Sequence, residues 1–305
     1  MGVDAAGGGQ HCTAPRRIAP GSAAPCSAAA PRRVRDLLVL DRGEAGAGGE
    51  LLVLACDSAG GAGPKPLDGV KVPARVVGLF TARVALMEVI AAGAAPVAVT
   101  ATICCEPEPT GSGVACGVME EMAAAGLGPE ALVISTEKNL GTAQTGVGVT
   151  VLGTVRRGRF LPGRALPGDI IALVGHPKVG AEVAEDDPAI VDLHTVTSII
   201  RSGLAADLVP VGSRGAAAEA RELASSAGLV ARLCPEQDGS GGGLLSRSGG
   251  PATAVVAAVR PDAVAELARV VLPRPCRVIG WLAAAAGQDL EPANSEPSDP
   301  GPREA

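Results

Sequence analysis

The segment from Ala55 to Lys71, ACDSAGGAGPKPLDGVK, places carboxylates, lysines and glycines directly after the apolar run 51–55. Glycine adopts backbone conformations that other residues avoid, so backbone N–H groups in such a loop can approach an anion. Lys65 and Lys71 would neutralise phosphate charge. The same composition is also typical of a solvated surface loop with ordinary lysines. The candidate anion-binding glycines are Gly60, Gly61 and Gly63.

Three carboxylates stand in apolar surroundings. Asp57 directly follows an apolar run, Glu88 lies within ALMEVIA, and Glu137 follows ALVIS. A carboxylate among apolar residues is costly unless it is paired or bound to a metal, and Mg²⁺ prefers such oxygens and shares them with substrate phosphates. If the strands lie side by side, Asp57 and Glu137 converge at one end of a sheet. Taken singly, each residue also fits an exposed or ion-paired acid.

A second candidate site is the stretch Gly212-Ser213-Arg214-Gly215, which immediately precedes a predicted helix. A helix N-terminus presents free N–H groups to an anion or a hydroxyl-rich ligand. Arg214 would hold a substrate or a phosphate. Ser213 either contacts that ligand or caps the helix.

Common nucleotide and zinc motifs are missing. The glycine-rich segment does not contain G-x-x-x-x-G-K-[ST], and Gly146-Val-Gly148 lies inside a strand pattern and opens no helix. The eight cysteines form no C-x-x-C pair and only three histidines are present, so a zinc site is poorly supported.

The spacing of apolar residues predicts the elements that would position these groups. In the first half we expect a four-stranded sheet with helices. The segments with strand patterns are 37–40 and 51–54, which form a hairpin, and 96–103, 131–135 and 145–152. The predicted helices are 75–92 and 111–125. In the second half we expect a mixed sheet with helices. Its strands are predicted within 167–175 and at 207–211, 229–233, 252–259 and 277–281, and its helices at 190–202, 216–227 and 261–271.

Composition sets the predicted domain division. The chain has 305 residues, and both ends are rich in small, polar or proline residues that offer little apolar surface to offset the entropy of ordering. We expect a disordered N-terminal extension, a first domain, a second domain and a disordered tail. Their ranges are 1–32, 33–155, 160–284 and 285–305.

Charge and aromatic content argue against a nucleic-acid partner. The net charge is −6, and the chain has two Phe, one Trp and no Tyr, whereas nucleic-acid binding favours basic faces and stacking platforms. No apolar run approaches the roughly 20 residues of a membrane span, and the first residues lack the apolar core of a secretory signal. We therefore expect a soluble cytoplasmic protein without a membrane partner.

Several motifs together resemble those of the aminoimidazole ribonucleotide synthetase superfamily. They are ACDSAGG, KVP, FTARVALMEVIAAGAAPVAV and ISTEKNLGTAQTGVGVTVLG, and the resemblance covers about residues 34–283. It implies a two-domain α/β (α+β) fold and acidic site residues at Asp57, Glu88 and Glu137. Thiamine-monophosphate kinases, a branch of this superfamily, resemble one another in having Asp where this chain has Glu88 and Glu137.

Within the superfamily the motifs resemble the α-ribazole kinase branch, in D-S-x-G-G-x-G, V-K-V-P, E-P-x-P-T-G and S-T-E-K-N. The resemblance implies transfer of the γ-phosphate of ATP to the ribose 5′-hydroxyl of α-ribazole, in cobamide salvage. Two alternatives stay open, a thiamine-monophosphate kinase and a non-catalytic nucleotide-binding relative.

The resemblance also implies a homodimer formed through the first domain, with 145–151 as an inner strand. On this basis we assign expected roles to individual residues as a hypothesis. The expected ligands of Mg²⁺, which would bridge the triphosphate, are Asp57, Glu88, Glu137 and Asp36. The expected nucleotide contacts are Lys65, Lys71, Arg83, Lys138 and Asn139. Asp36 and Asp68 are the candidates for a general base.

Overall fold

A computed structural model describes residues 30–41, 48–235 and 243–285. Most of the predicted N-terminal extension and C-terminal tail lies outside these residues. No helix within them is long and apolar enough to cross a membrane.

The first sheet has six strands in the order β1-β2-β3-β8-β6-β7, not the predicted four. Its strands are β1 (Arg32–Val34), β2 (Leu37–Asp41), β3 (Glu50–Gly60), β6 (Ala95–Ile103), β7 (Leu132–Thr136) and β8 (Gly146–Arg156). The predicted number of strands was too low. The short β1 turns back onto β2 at the edge, and β8, at the predicted strand 145–152, inserts between β3 and β6 as a full member of the sheet. The predicted hairpin is confirmed as the antiparallel pair β2–β3.

Two helices, α1 (Ala74–Ala91) and α2 (Ser112–Ala124), belong to this half, and α1 packs directly on β3 and β8. Glycines allow the two helices to approach closely. A Cβ atom on Gly78 would lie 2.0 Å from the Val114 carbonyl oxygen, and one on Gly117 would lie 1.9 Å from that of Arg75. Gly93, with φ of 81°, lies just beyond the C-terminus of α1, as the sequence predicts.

The glycine-rich segment after β3 forms a small parallel pair, β4 (Ala62–Gly63) and β5 (Val70–Lys71). Residues 64–69 connect the two strands and lead the chain to the start of α1.

The second sheet has five strands in the order β10-β12-β9-β13-β11. Every neighbouring pair is antiparallel, so the predicted mixed sheet is wrong. The reason is that helical crossovers skip a position: α3 leads from β9 to β10 with β12 between them, and α5 leads from β12 to β13 with β9 between them. The elements are β9 (Ile170–Gly175), α3 (Leu193–Ser202), β10 (Ala205–Pro210), α4 (Ala216–Ser226), β11 (Leu229–Leu233), β12 (Ala254–Val259), α5 (Val264–Val270) and β13 (Cys276–Ala284).

The two halves share a core. Helix α1 packs on β3 and β8 of the first sheet and also on α3 and β10 of the second half. Arg35, in the turn between β1 and β2, forms a buried two-pronged ion pair with Asp207 of β10, with N–O distances of 3.0 and 2.5 Å. The predicted domain boundaries stay a prediction.

Candidate functional site

A pocket of about 250 Å³ lies where the end of β3, the β4–β5 pair and the start of α1 meet two loops of the second half. We call it the Asp57 pocket. Its wall consists of Asp57, Ser58, Ala59, Ala62, Val70, Val72, Val76, Val77, Phe80, Thr81, Gly180, Val183, Gly250 and Pro251.

Asp57 occupies this wall because of the two-residue period of β3. Leu51, Val53 and Ala55 point into the core beneath α1, and Asp57 continues the same row towards the end of the strand. Burial raises the pKa of Asp57 to about 6, although the Ser58 amide opposes the rise. Among the described residues no Lys or Arg forms an ion pair with it. Asp57 therefore accepts or releases a proton close to neutral pH.

The rest of the Asp57 pocket is mainly apolar. Valines, alanines and Phe80 dominate its wall, and none of the described lining residues is Lys or Arg. Burying a phosphate without a cationic partner is costly. The pocket therefore suits an uncharged, partly apolar ligand with a hydroxyl that reaches Asp57.

The glycine-rich segment is ordered around Asp68. The Asp68 side chain is 4% exposed, and its carboxylate accepts hydrogen bonds from the Thr145 amide at 2.8 Å, the Thr145 hydroxyl at 2.7 Å and the Lys65 amide at 2.8 Å. Although burial opposes them, these donors lower the pKa of Asp68. A carboxylate held in this way is a poor proton acceptor, which argues against Asp68 as the general base. Its hydrogen bonds brace the loop instead.

Two of the predicted anion-binding glycines, Gly61 and Gly63, instead allow the β4–β5 loop to pack against Thr145. The Gly61 amide donates to the Thr145 carbonyl at 3.0 Å, so this N–H is not free for an anion as predicted. Gly63 has φ of 147°, and a Cβ atom there would lie 2.3 Å from Thr145 Oγ1. Only glycine fits at that position. Gly60 has open space around it and lines a second cavity described below.

Both predicted phosphate-binding lysines are engaged within the protein. Lys65 Nζ lies 2.5 Å from the Glu106 carboxylate and 2.9 Å from the Thr142 carbonyl oxygen. Lys65 and the Thr110 hydroxyl lower the pKa of Glu106 to about 2. Lys71 donates to the carbonyl oxygens of Lys65 and Pro66. In this structure the two lysines stabilise the loop instead of standing free.

The predicted metal ligands are not brought together. Among the described residues no group of three or more His, Cys, Asp or Glu side chains is placed to hold a metal ion. Asp57 lies in β3 and Glu137 directly follows β7. These strands are three positions apart in the sheet, which corresponds to about 14 Å. Glu137 accepts from the amides of Asn139 and Leu140 at 2.6 and 3.1 Å, which lower its pKa. Asp36 is 60% exposed and pairs with Arg33. These four side chains therefore do not form a preformed magnesium site among the described residues, and their role as ligands stays a prediction.

Two side chains of α1, those of Glu88 and Arg83, have surroundings that the sequence did not predict. Burial, with the nearby Asp36 and Glu219 charges, raises the pKa of Glu88 to about 8. Glu88 is therefore mostly protonated at neutral pH. Arg83 forms a buried ion pair with Glu121, at 2.7 and 3.1 Å, and is not available to a nucleotide.

The stretch 212–215 does not form an open anion site. Gly215 is the N-cap of α4, and no side chain caps the helix, so Ser213 does not have that role. The Ala217 amide donates to the Leu245 carbonyl at 2.8 Å, so a loop covers the helix N-terminus. Arg214 pairs with Glu219 and Glu222 of the same helix. Gly212 likewise accepts from the Gly249 and Gly215 amides through its carbonyl.

Two predicted nucleotide contacts, Lys138 and Asn139, are exposed in the loop after β7. Their roles stay predictions. Sequence reasoning missed the pocket wall, including Val72, Phe80 and Val183. In the sequence these residues look like ordinary core residues. The one local feature that pointed to the pocket was the acid near the end of the β3 pattern.

A second cavity, of about 520 Å³, adjoins the Asp57 pocket along β3. Gly60 and Gly61 line it together with Leu67, Cys104 and residues 142–146. The Thr142 hydroxyl is buried there without a hydrogen-bond partner among the described residues. Consecutive residues of β3 thus pass from the wall of one cavity to the wall of the other.

No family model and no curated protein matches the sequence. Solved structures do match. Hydrogenase maturation protein HypE in complex with ATP superposes with a TM-score of 0.57 at 15% identity, covering 77% of each chain. Thiamine-monophosphate kinase from Stenotrophomonas maltophilia K279a superposes with a TM-score of 0.55 at 19% identity, covering 82% of this chain and 90% of that one. The protein has the aminoimidazole ribonucleotide synthetase-like fold.

The protein tt0281 from Thermus thermophilus shares this aminoimidazole ribonucleotide synthetase-like fold, with a TM-score of 0.55 at 19% identity over 78% of this chain and 84% of that one. The expected fold class is thus confirmed. At these identities the comparisons establish the fold, while the acceptor and the reaction have to be argued from the site.

Proposed function

We propose that the protein is an ATP-dependent phosphotransferase that phosphorylates a hydroxyl group of an uncharged small molecule bound in the Asp57 pocket. The observation that carries this proposal is the pocket itself. It combines one carboxyl group with a pKa of about 6 with a mainly apolar wall that contains no Lys or Arg among the described residues. A carboxyl group that titrates near the working pH is suited to accept the proton of an attacking hydroxyl.

The two neighbouring cavities support a division between acceptor and nucleotide. In our proposal the acceptor occupies the Asp57 pocket, and the triphosphate occupies the cavity beside Gly60 and Gly61. The Thr142 hydroxyl, which is buried at the wall of this cavity without a partner among the described residues, would turn outward to bind a phosphate oxygen. Lys138 is exposed in the loop after β7 and would have to reach the phosphates from outside the cavity wall. HypE has been solved in complex with ATP on the same fold, which supports a nucleotide in this scaffold.

The reaction then needs few covalent contributions from the protein. The acceptor oxygen attacks the γ-phosphorus of ATP, the bond from that phosphorus to the β-phosphate oxygen breaks, and ADP leaves. The acceptor proton passes to the Asp57 carboxylate. Phosphoryl transfer of this kind depends mainly on positioning and on stabilisation of charge. The braced loop around Asp68 fixes the backbone between the two cavities and so supplies the positioning.

The charge of the pocket favours α-ribazole over thiamine monophosphate as the acceptor. α-Ribazole brings an apolar aromatic base and a ribose with a free 5′-hydroxyl, whereas thiamine monophosphate would bring a phosphate next to Asp57. No described lining residue offers a cation to receive that phosphate. The apolar wall suits the aromatic base of α-ribazole, and Asp57 suits its 5′-hydroxyl.

An acceptor panel tests this proposal. The full-length protein would be incubated with ATP and Mg²⁺ together with α-ribazole, thiamine monophosphate, or no acceptor, and ADP release would be measured. We expect release that depends on α-ribazole and exceeds the other two reactions at least tenfold. Equal release with thiamine monophosphate would contradict the choice of acceptor. ATP binding without ADP release would instead favour the non-catalytic alternative.

We also propose that the protein is a homodimer that pairs through the outer face of the first sheet. No helix of this half, within the described ranges, covers that face. Leu38, Leu54 and Leu152 lie in register across β2, β3 and β8, and all three are at least partly exposed. A second copy would cover this row of leucines.

A further inference from the structure

A third cavity, lined by two arginines, lies at the far end of α1. Its volume is about 550 Å³, and its lining residues are Gly93, Arg159, Leu161, Arg164, Ile200, Gly203, Ala205 and Ala206. Helix α1 has 18 residues, a length of about 27 Å. The Asp57 pocket includes the start of α1, and this cavity begins two residues beyond its end, so the two sites are separate. We call the cavity at the end of α1 the linker cavity, since residues 157–169 connect the two sheets.

The linker cavity presents two arginines that no acid neutralises. Within the part of the chain that the structure describes, neither Arg159 nor Arg164 forms an ion pair. Among the described residues the Arg164 side chain donates to the Gly158 carbonyl oxygen alone. By contrast, the neighbouring Arg157 pairs with Asp41, and Arg35 pairs with Asp207. The linker cavity therefore carries two guanidinium groups and no acidic lining residue.

The backbone that carries these arginines is held at several points. The Leu161 amide donates to the Ala92 carbonyl at 3.0 Å, and the Gly163 amide donates to the Asp207 carboxylate at 2.9 Å. Gly93, with φ of 81°, lies so close that a Cβ atom there would be 2.6 Å from the Arg159 carbonyl oxygen. The two arginines therefore project from a fixed segment, which lowers the entropy cost of binding a ligand.

We propose that the linker cavity is an additional ligand site, separate from the acceptor and nucleotide cavities, and that it binds a phosphate-bearing small molecule. Guanidinium groups present a fork of N–H donors that matches phosphate oxygens. Leu161, Ile200 and Ala205 provide an apolar wall for the uncharged part of such a ligand. The volume falls within the usual range of small-molecule sites. The linker cavity thus has the charge that the Asp57 pocket lacks.

Calorimetric titration of the full chain with pyrophosphate tests this inference. We expect Arg159→Ala/Arg164→Ala to weaken binding at least tenfold, while Arg221→Ala, an exposed arginine outside the cavity, binds like the wild type. Ala206→Glu keeps both arginines but adds a carboxylate at the cavity, and we expect it to weaken binding as well. Asp57→Asn should bind pyrophosphate normally, which separates the linker cavity from the Asp57 pocket.

Three results would overturn the inference. They are the absence of pyrophosphate binding to the wild type, unchanged binding to the folded double variant, and an equal loss in Arg221→Ala. Citrate titrated in parallel distinguishes phosphate from carboxylate recognition, and tighter binding of citrate would contradict the ligand class. Thermal unfolding of each variant confirms that it is folded.

Discussion

At the scale of single residues, the balance between burial and hydrogen-bond donors decides the pKa of each carboxyl group. Burial without sufficient donors raises the pKa of Asp57, Glu88 and Glu219, to about 6, 8 and 7 respectively. Amide, hydroxyl or ammonium donors instead lower the pKa of Asp68, Glu106 and Glu137. The first group can exchange protons near neutral pH, whereas the second group stays ionised and holds loops in place.

Glu88 gives a testable pH dependence of stability. Its pKa rises from 4.5 to about 8 on folding, so the native protein keeps a proton that the unfolded chain releases. Stability from this group is therefore present below about pH 4.5 and is lost as the pH rises through 8. Glutamine mimics the protonated form. We expect Glu88→Gln to match the wild type near pH 5 and to be more stable by on the order of 3 kcal/mol at pH 8.5.

Chemical denaturation at the two pH values measures this difference. Asp262→Asn, at an exposed acid, is the control and should show no such divergence. A Glu88→Gln variant that is equally destabilised at both pH values would contradict the protonated state of Glu88.

At the scale of elements, the β4–β5 loop depends on Asp68. Replacing Asp68 with Ala leaves the Thr145 and Lys65 amides, and the Thr145 hydroxyl, without their acceptor. We expect Asp68→Ala to lower the free energy of unfolding by about 3 kcal/mol. Asp36→Ala, which removes an exposed acid, should cost less than about 0.5 kcal/mol. Urea denaturation of both variants compares them, and equal costs would show that Asp68 does not brace the loop.

Most elements could be predicted from sequence, because their signals are local. The apolar pattern and Gly93 located α1, and the alternation of apolar residues located the strands. The roles of Lys65, Lys71 and Arg83 could not be predicted, since a sequence does not show which acids or carbonyl groups they contact. For Lys65 and Arg83 the partners Glu106, Thr142 and Glu121 lie far away along the chain. A lysine that binds phosphate and one that holds a loop look the same in a sequence.

At the scale of the whole molecule, neither the strand order nor the contacts between the two halves could be predicted from the sequence. The antiparallel second sheet arises from crossovers that skip a strand, and nothing in the local pattern encodes which strand fills the gap. The Asp57 pocket could not be predicted either, because residues that are distant in the sequence form its wall. Val72 and Phe80 come from the first half, and Val183 and Gly250 from the second.

The ion pair between Arg35 and Asp207 joins the two halves. The side chains are 5% and 0% exposed, so removing one partner leaves a buried charge. We expect Arg35→Met to lower the free energy of unfolding by about 3–5 kcal/mol, because Asp207 then lacks its counter-ion. Arg33→Met, beside it but exposed, is the matched control. Thermal or urea unfolding measures both, and equal stability of the two variants would show that the pair does not join the halves.

The proposed dimer makes a separate prediction. Leu54 lies between Leu38 and Leu152 on the uncovered face of the first sheet. A lysine there would have to be desolvated at the interface, so we expect Leu54→Lys to be a folded monomer while the wild type is a dimer. Light scattering coupled to size-exclusion chromatography gives the masses. A wild-type monomer, or a variant that still dimerises, would contradict the proposed interface.

The most direct test of Asp57 as the proton acceptor is the pH dependence of ADP release with α-ribazole. Because the base must be ionised, we predict that the wild-type rate rises about tenfold per pH unit below 6 and levels off above 7. Asp57→Asn should lose at least about 100-fold of the activity at pH 7.5 together with this dependence. Asp262→Asn should retain the wild-type profile. A folded Asp57→Asn variant that turns over like the wild type, with the same pH profile, would contradict the role of Asp57.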